Sequence, residues 1–339
     1  MHSALVDARR PWWGTTGNPP RKGAMTIRDG VWVAATLWAW SFAASWAGDR
    51  KASPMSKPWL STLPARFQSA VLWHADHEEG TLGDWVYADP AMSGGGVFNT
   101  GAPEEAVARV VSDIAFSGSF SVQTRIANAF RGKNGKKAVR LLRWTDKPWD
   151  QGGKEFPEAA YYSVWALIPE NYDPTKRLPW DPGDGGWWNI FQFKSDDADG
   201  ESQPAWTLNI ARDQGTRRMK LYLYSEYTPP HGYPVKAGPI PVGQWFHMEA
   251  FYRRSERMKK NGEIALFVNG EAVFRANNVL TRLDGTAVIW GIGNYTDHIG
   301  GGEIPGTAII YFDDAIVSTA PVSPYVKAYF ASACKATPP

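Results

Sequence analysis

Apolar and polar positions alternate along this chain in short runs, each closed by a cluster of Gly, Pro, Asn or Asp. A period of two sends successive side chains to opposite faces of an extended backbone, so alternation over a few residues predicts half-buried β-strands. Such runs occupy residues 119–126, 138–144, 161–168, 187–194, 206–212, 219–224, 245–252, 263–268, 272–275, 288–295 and 308–318. No long helical period competes with them. Asn269-Gly270 separates two apolar runs, and a type I′ turn needs positive φ at both central positions, so this pair predicts a two-residue hairpin. Strands at this spacing predict an all-β sandwich occupying residues 71–320 as one domain without internal repeats.

The run WWNIFQFK over residues 187–194 is the most informative. Strict alternation puts Asn189, Phe191 and Phe193 on one side, and Trp188, Ile190, Gln192 and Lys194 on the other. An amide and an amine beside an aromatic suit an acidic sugar. A solvated outer face carrying a glutamine and a lysine fits the same pattern, and the strand alone does not choose.

The ends of the chain read differently. Residues 1–24 are rich in Pro, Gly and Arg and fit no targeting signal, which points to an extension ahead of a start at Met25. Residues 25–47 hold Arg28, an apolar run over 31–42 and Ala44-Ser45-Trp46-Ala47, the pattern of a secretory signal, so the protein is expected to be secreted or periplasmic. The run is shorter than the roughly 20 apolar residues of a spanning helix, so stable membrane insertion is not expected. Residues 48–70 read as a linker, and residues 321–339 as a C-terminal tail.

Composition narrows the chemistry. A formal net charge of +2 over 339 residues, without a run of five or six like charges, leaves no basic stripe for nucleic acid. Any acidic partner must be met locally. Eighteen Trp are many for this length; they stack on sugar rings in a groove or fill a core. The single cysteine, Cys334, excludes a disulfide framework and a cysteine metal cluster. A monomer is expected.

Three framing segments carry a resemblance. Residues 77–85, HEEGTLGDW, are similar to the D-x-E-x-G-x-L-x-x-W opening strand of the concanavalin A-like superfamily; residues 118–125, GSFSVQTR, and 311–318, YFDDAIVS, resemble its later strands. Within that superfamily the chain resembles the jelly-roll polysaccharide lyases of the heparin lyase I and alginate lyase type. Ala138-Val139-Arg140 stands where those lyases have a carboxylate-binding arginine, Phe191-Gln192-Phe193-Lys194 where they have Q-x-H, and Gly293-Asn294-Tyr295 where they have the G-x-Y of a catalytic tyrosine. Two positions depart from the pattern: Leu142 replaces an acidic residue, and Lys194 replaces the histidine.

The resemblance implies two antiparallel sheets with a concave substrate groove, and cleavage of a uronic-acid-containing polysaccharide by β-elimination. The C5 proton of a uronate is too weakly acidic to remove until the adjacent carboxylate is neutralised, and Arg140 and Gln192 supply a planar cationic fork and a neutral donor. The base must be unprotonated near neutral pH. Tyr295 is the first candidate by family position, and Lys194 the second, provided that burial and a nearby arginine lower its pKa. Trp188, Tyr222, Tyr224 and Arg143 are candidates for holding the sugar chain, as are His231 and His298 in loops, where a histidine could replace the missing one. The same residues also fit core packing, strand surface or plain loop positions.

No cofactor is required for this chemistry. Glu78, Asp313 and Asp314 resemble positions where many such sandwiches hold a structural calcium ion, a hard cation suited to carboxylate and carbonyl oxygens. Two rival functions stay open. A non-catalytic sugar-binding module needs only an aromatic groove with a few polar contacts. A glycoside hydrolase needs paired carboxylates, about 5 to 5.5 Å apart in retaining enzymes, whereas Glu249 and Glu263 stand isolated in the sequence.

Overall fold

The computed structural model describes residues 55–86, 96–127, 136–148, 151–170, 188–212, 218–285, 287–296 and 306–333. The expected extension, the secretory signal and His298 lie outside them. The described residues form two sheets in which every strand pairing is antiparallel. One sheet has the order β13-β12-β11-β6-β15-β4-β3, with β1 pairing β15 off that path. Its strands are β1 (Val71–Ala75), β3 (Ala106–Val111), β4 (Ser121–Ala127), β6 (Ala159–Leu167), β11 (Trp245–Arg253), β12 (Gly262–Val268), β13 (Glu271–Val279) and β15 (Thr307–Ser318). The other has the order β10-β9-β8-β7-β14-β5-β2, built from β2 (Gly96–Asn99), β5 (Lys137–Arg143), β7 (Trp188–Asp196), β8 (Ser202–Arg212), β9 (Met219–Tyr224), β10 (Gly232–Pro234) and β14 (Val288–Thr296). This is the all-β sandwich that the alternation predicts, and the jelly roll that the resemblance implies. Asn269 and Gly270, both at positive φ, turn β12 into β13 as their sequence requires.

One continuous core joins the sheets. Val122, Tyr162 and Phe246 of the first meet Phe191, Trp206 and Trp290 of the second. Phe193 stacks on Tyr252 across the interface, with ring centroids 3.8 Å apart. Asn294 ties the layers with hydrogen bonds: its Nδ2 donates to the carbonyls of Thr124 and Ala308, and its Oδ1 accepts from Trp188 Nε1 at 2.9 Å. A buried amide with its bonds satisfied in this way fixes one register for β14.

β7 departs from strict alternation. Trp188, Ile190, Phe191 and Phe193 all belong to the core, because the pairing of β7 with β8 shifts between Asn189 and Phe191. This bulge puts one extra residue into the strand and reverses the faces beyond it. Asn189 therefore shares the outer face with Gln192 and Lys194, while Trp188 lies inside.

The chain ends are also folded where the sequence suggests a linker and a tail. Short helices α1 (Trp59–Thr62) and α2 (Ala65–Gln68) bury Trp59 and Phe67 in a second apolar cluster with Phe116, Trp165 and Trp245. Helix α3 (Ser323–Ala333) adds Val326 to the same cluster. Pro and Ser in residues 53–64 read as linker, yet the spaced aromatics are what cover the outside of the first sheet.

Candidate active site

Neighbours that point inward fix the direction of each candidate side chain. Val139 and Leu141 of β5 are core residues, so Arg140 between them points outward from the seven-stranded sheet. Ile292 and Asn294 of β14 are buried, which turns Gly291, Gly293 and Tyr295 outward. Phe191 and Phe193 of β7 point inward, which turns out Gln192 and Lys194. The central strands place Gly293 opposite Arg140 and Gly291 opposite Gln192. All four expected catalytic residues therefore share one face of three adjacent strands.

The glycines make their closeness feasible. A Cβ on Gly291 would lie 2.4 Å from Leu142 Cδ2 and 3.4 Å from Gln192 Nε2; one on Gly293 would lie 2.1 Å from the Val139 carbonyl oxygen. On the outer face, the two β14 positions between Arg140 and Gln192 thus carry no side chain. Arg140 stands over Tyr295 with its Cζ 3.9 Å from the ring centroid, a cation–π contact. Its Nε is buried without a hydrogen-bond partner. Burial also pulls the Arg140 pKa below its ordinary value, an effect that Tyr295 opposes.

Lys194 is strongly perturbed. Burial, and then repulsion from Arg140, lower its amine to about 7, against the pull of Asp196 and Glu201. An amine with that pKa exists in both forms at neutral pH, the condition for accepting a proton there. Gln192 is 3% exposed. Its amide has no hydrogen bond among the described residues and is not sealed from solvent, so its donor and acceptor are both open to a ligand.

Other expected positions divide. Tyr222 and Tyr224 of β9 alternate with core Leu221 and Leu223 and do lie on the outer face. His231 sits beside Tyr224, with ring centroids 6.3 Å apart, and its Nδ1 meets the Ser225 carbonyl at 3.0 Å. Arg143 does not join them: three residues after Arg140 it has the opposite face, where Nε donates to the Thr145 carbonyl and one terminal nitrogen to that of Asp84. Trp188 is likewise removed from the sugar-holding set by the bulge. Leu142, at the position of the missing acid, packs with Trp144 and Ile289 as an apolar patch.

The expected calcium ligands have other partners. Glu78 accepts hydrogen bonds from the backbone N–H groups of Ser119 and Phe120. Asp313 accepts from those of Phe116 and Ser117, and Asp314 from the Ser117 hydroxyl. Desolvation pushes both aspartates well above the ordinary range. Among the described residues no group of three or more His, Cys, Asp or Glu side chains could hold a metal ion, so these acids do not form a side-chain cage. Glu249 is also committed: its carboxylate accepts from the N–H groups of Val322 and Ser323 at 2.8 Å and caps α3 on the other sheet. It has no place in a hydrolytic pair on the Arg140 face.

Sequence reasoning missed three residues on that face. Asn189 was hidden by the bulge, which no alternation rule reveals. Thr207 and Asn209 alternate with core Trp206, Leu208 and Ile210, a signal that the stretch WTLNI does carry.

Comparison with known proteins adds an independent line. Residues 78–315 match the family described as polysaccharide lyase. No curated protein gives a match. Among solved structures, an endo-β-1,4-glucuronan lyase from the fungus Trichoderma reesei is similar at 16% identity, over 74% of this chain and 96% of that one, with a TM-score of 0.52. A marine alginate lyase from Aplysia kurodai is similar at 12% identity, over 74% and 99%, with a TM-score of 0.43. At such identity the first likeness establishes a shared fold.

Proposed function

This chain belongs to the polysaccharide lyase family, and on that premise we propose that it cleaves a uronic-acid-containing polymer by β-elimination. The observation that supports this reading is the common outer face of Arg140, Gln192, Lys194 and Tyr295 on three neighbouring strands.

Arg140 and the unpaired Gln192 amide bind the uronate carboxylate and stabilise the charge that develops when the C5 proton leaves. The neutral amine of Lys194 takes that proton. The electron pair released from C5–H then forms the C4–C5 double bond, the C4–O bond breaks, and the Tyr295 hydroxyl returns a proton to the leaving oxygen. Lys194 is preferred as base because its amine is lowered to about 7. Its place two residues after Gln192 puts it on the same side of the sugar as the carboxylate clamp.

The product carries a conjugated double bond that absorbs in the near ultraviolet, which neither a hydrolase nor a sugar-binding module can generate. Incubation with alginate, glucuronan, heparin, hyaluronan and pectate, followed by absorbance, tests the proposal. One polymer should yield the chromophore, and its absence from all of them at several pH values would sink the uronate reading. By the same reasoning the protein is secreted or periplasmic, where such polymers occur, and acts without a cofactor.

A further inference from the structure

The outer face continues past the four proposed catalytic residues in a second, uncharged set. Strand register aligns Tyr295 of β14 with Asn189 of β7, Asn189 with Asn209 of β8, and Asn209 with Tyr222 of β9. A parallel row aligns Gln192 with Thr207, and Thr207 with Tyr224. Residues directly opposite in antiparallel strands project from the same side, so these rows cross the sheet perpendicular to its strands.

The amides in these rows are unusual in their chemistry. Asn189 and Asn209 are 5% and 3% exposed. Asn209 Nδ2 donates to Thr207 Oγ1 at 2.9 Å and to the Thr207 carbonyl at 3.2 Å; Asn189 Nδ2 reaches only the Phe191 carbonyl, at 3.5 Å. Neither Oδ1 accepts a hydrogen bond among the described residues, and neither is sealed from solvent. An acceptor that solvent reaches and no protein donor occupies is open to a donor of a bound ligand, which replaces the water there without breaking a protein hydrogen bond. Carboxamides and a hydroxyl match sugar hydroxyls, which both donate and accept. Tyr222, half-buried at the end of the row, offers a ring on which a pyranose can stack.

We propose that Asn189, Thr207 and Asn209, ended by Tyr222, form a hydroxyl-binding subsite for the sugar next to the cleaved uronate, so that the polymer lies across the strands. Neighbouring strands lie about 4.8 Å apart, so the three steps from β14 to β9 span roughly 14 Å, room for more than one ring. The neighbouring sugar is read through its hydroxyls, and a carboxylate on it is not required. This rests on the lyase reading for the position of the cleaved residue, and the test separates the two.

The probes are glucuronan and alginate trisaccharides and hexasaccharides, titrated calorimetrically into wild-type protein and variants, with product absorbance followed in parallel. Asn189→Ala and Asn209→Ala should each weaken hexasaccharide binding and raise its KM about tenfold, the effect of one or two hydrogen bonds, with kcat within about twofold. Asn209→Lys should weaken binding as well. Tighter binding by Asn209→Lys, or unchanged affinity in all three, overturns the subsite. Should Asn209→Ala fail to fold, Tyr222→Ala at the half-buried end is read in its place with the same expectation. A wild type that binds either hexasaccharide without forming chromophore contradicts the lyase reading while leaving the affinity comparison decisive for the subsite. Equal melting temperatures with altered affinity distinguish this role from a merely structural one.

Discussion

The guanidinium of Arg140 lies over the ring of Tyr295, its Cζ 3.9 Å from the centroid, although 155 positions separate the two in the chain. The contact holds the planar fork at the outer face and sets the phenol against a fixed positive charge. Tyr295→Phe keeps the ring and removes the hydroxyl. Turnover should fall roughly a hundredfold or more, the worth of a positioned proton donor, while polymer binding changes little. Comparable losses in both would assign Tyr295 to binding alone.

Lys194 gives a pH dependence with a defined sign. Since its amine is lowered to about 7, kcat/KM should rise about tenfold per pH unit below that value and level off above it. Lys194→Arg carries a charge that does not titrate in this range, so it should retain binding and lose turnover across the profile. A wild-type profile flat from pH 5 to 8 would remove Lys194 as base.

The same shift has a consequence for stability. Unfolded chain holds the Lys194 proton up to the ordinary 10.5, the folded chain only up to about 7. The burial cost is therefore complete below pH 7 and fades as pH rises toward 10.5, where the amine is neutral in both states. Lys194→Met should raise the thermal midpoint at pH 6 by a few degrees, about the effect of 1 kcal/mol or so in a domain of this size, and should raise it less at pH 10. An equal gain at both pH values would contradict the assigned cause.

Gly293 is required by its neighbours. A Cβ there would meet the Val139 carbonyl oxygen at 2.1 Å and Arg140 Cα at 3.0 Å, backbone atoms that move only if β5 moves. Gly293→Ala should cost about 1–3 kcal/mol in urea unfolding and reduce activity by displacing Arg140. Wild-type stability and activity in that variant would show that β5 yields freely.

Glu249 tests how the C-terminal helix is held. Removing its carboxylate leaves the Val322 and Ser323 N–H groups buried without acceptors. Glu249→Ala should destabilise by about 2–4 kcal/mol, and Glu249→Gln, which keeps one acceptor, by less. Catalysis at 25 °C should survive both, because the helix covers the sheet opposite the proposed site.

By itself the sequence determined the strands, because alternation is a local consequence of one buried face: the runs around Arg140, Tyr162, Trp206 and Ala308 all form strands where the pattern puts them. It also determined the Asn269-Gly270 hairpin, whose positive φ angles are a property of two adjacent residues. What lay beyond it depended on distant partners. The bulge that brings Asn189 to the face of Gln192 and buries Trp188 arises from pairing with β8, and no period within residues 188–194 encodes it. Arg140 and Arg143 are the same residue type three positions apart, yet one meets Tyr295 and the other the Thr145 and Asp84 carbonyls. Trp59 and Val326 read as linker and tail until a shared apolar cluster gives them something to cover. Local geometry is written in neighbouring residues; which face becomes a site is decided only when remote strands close against one another and leave some polar atoms unpaired.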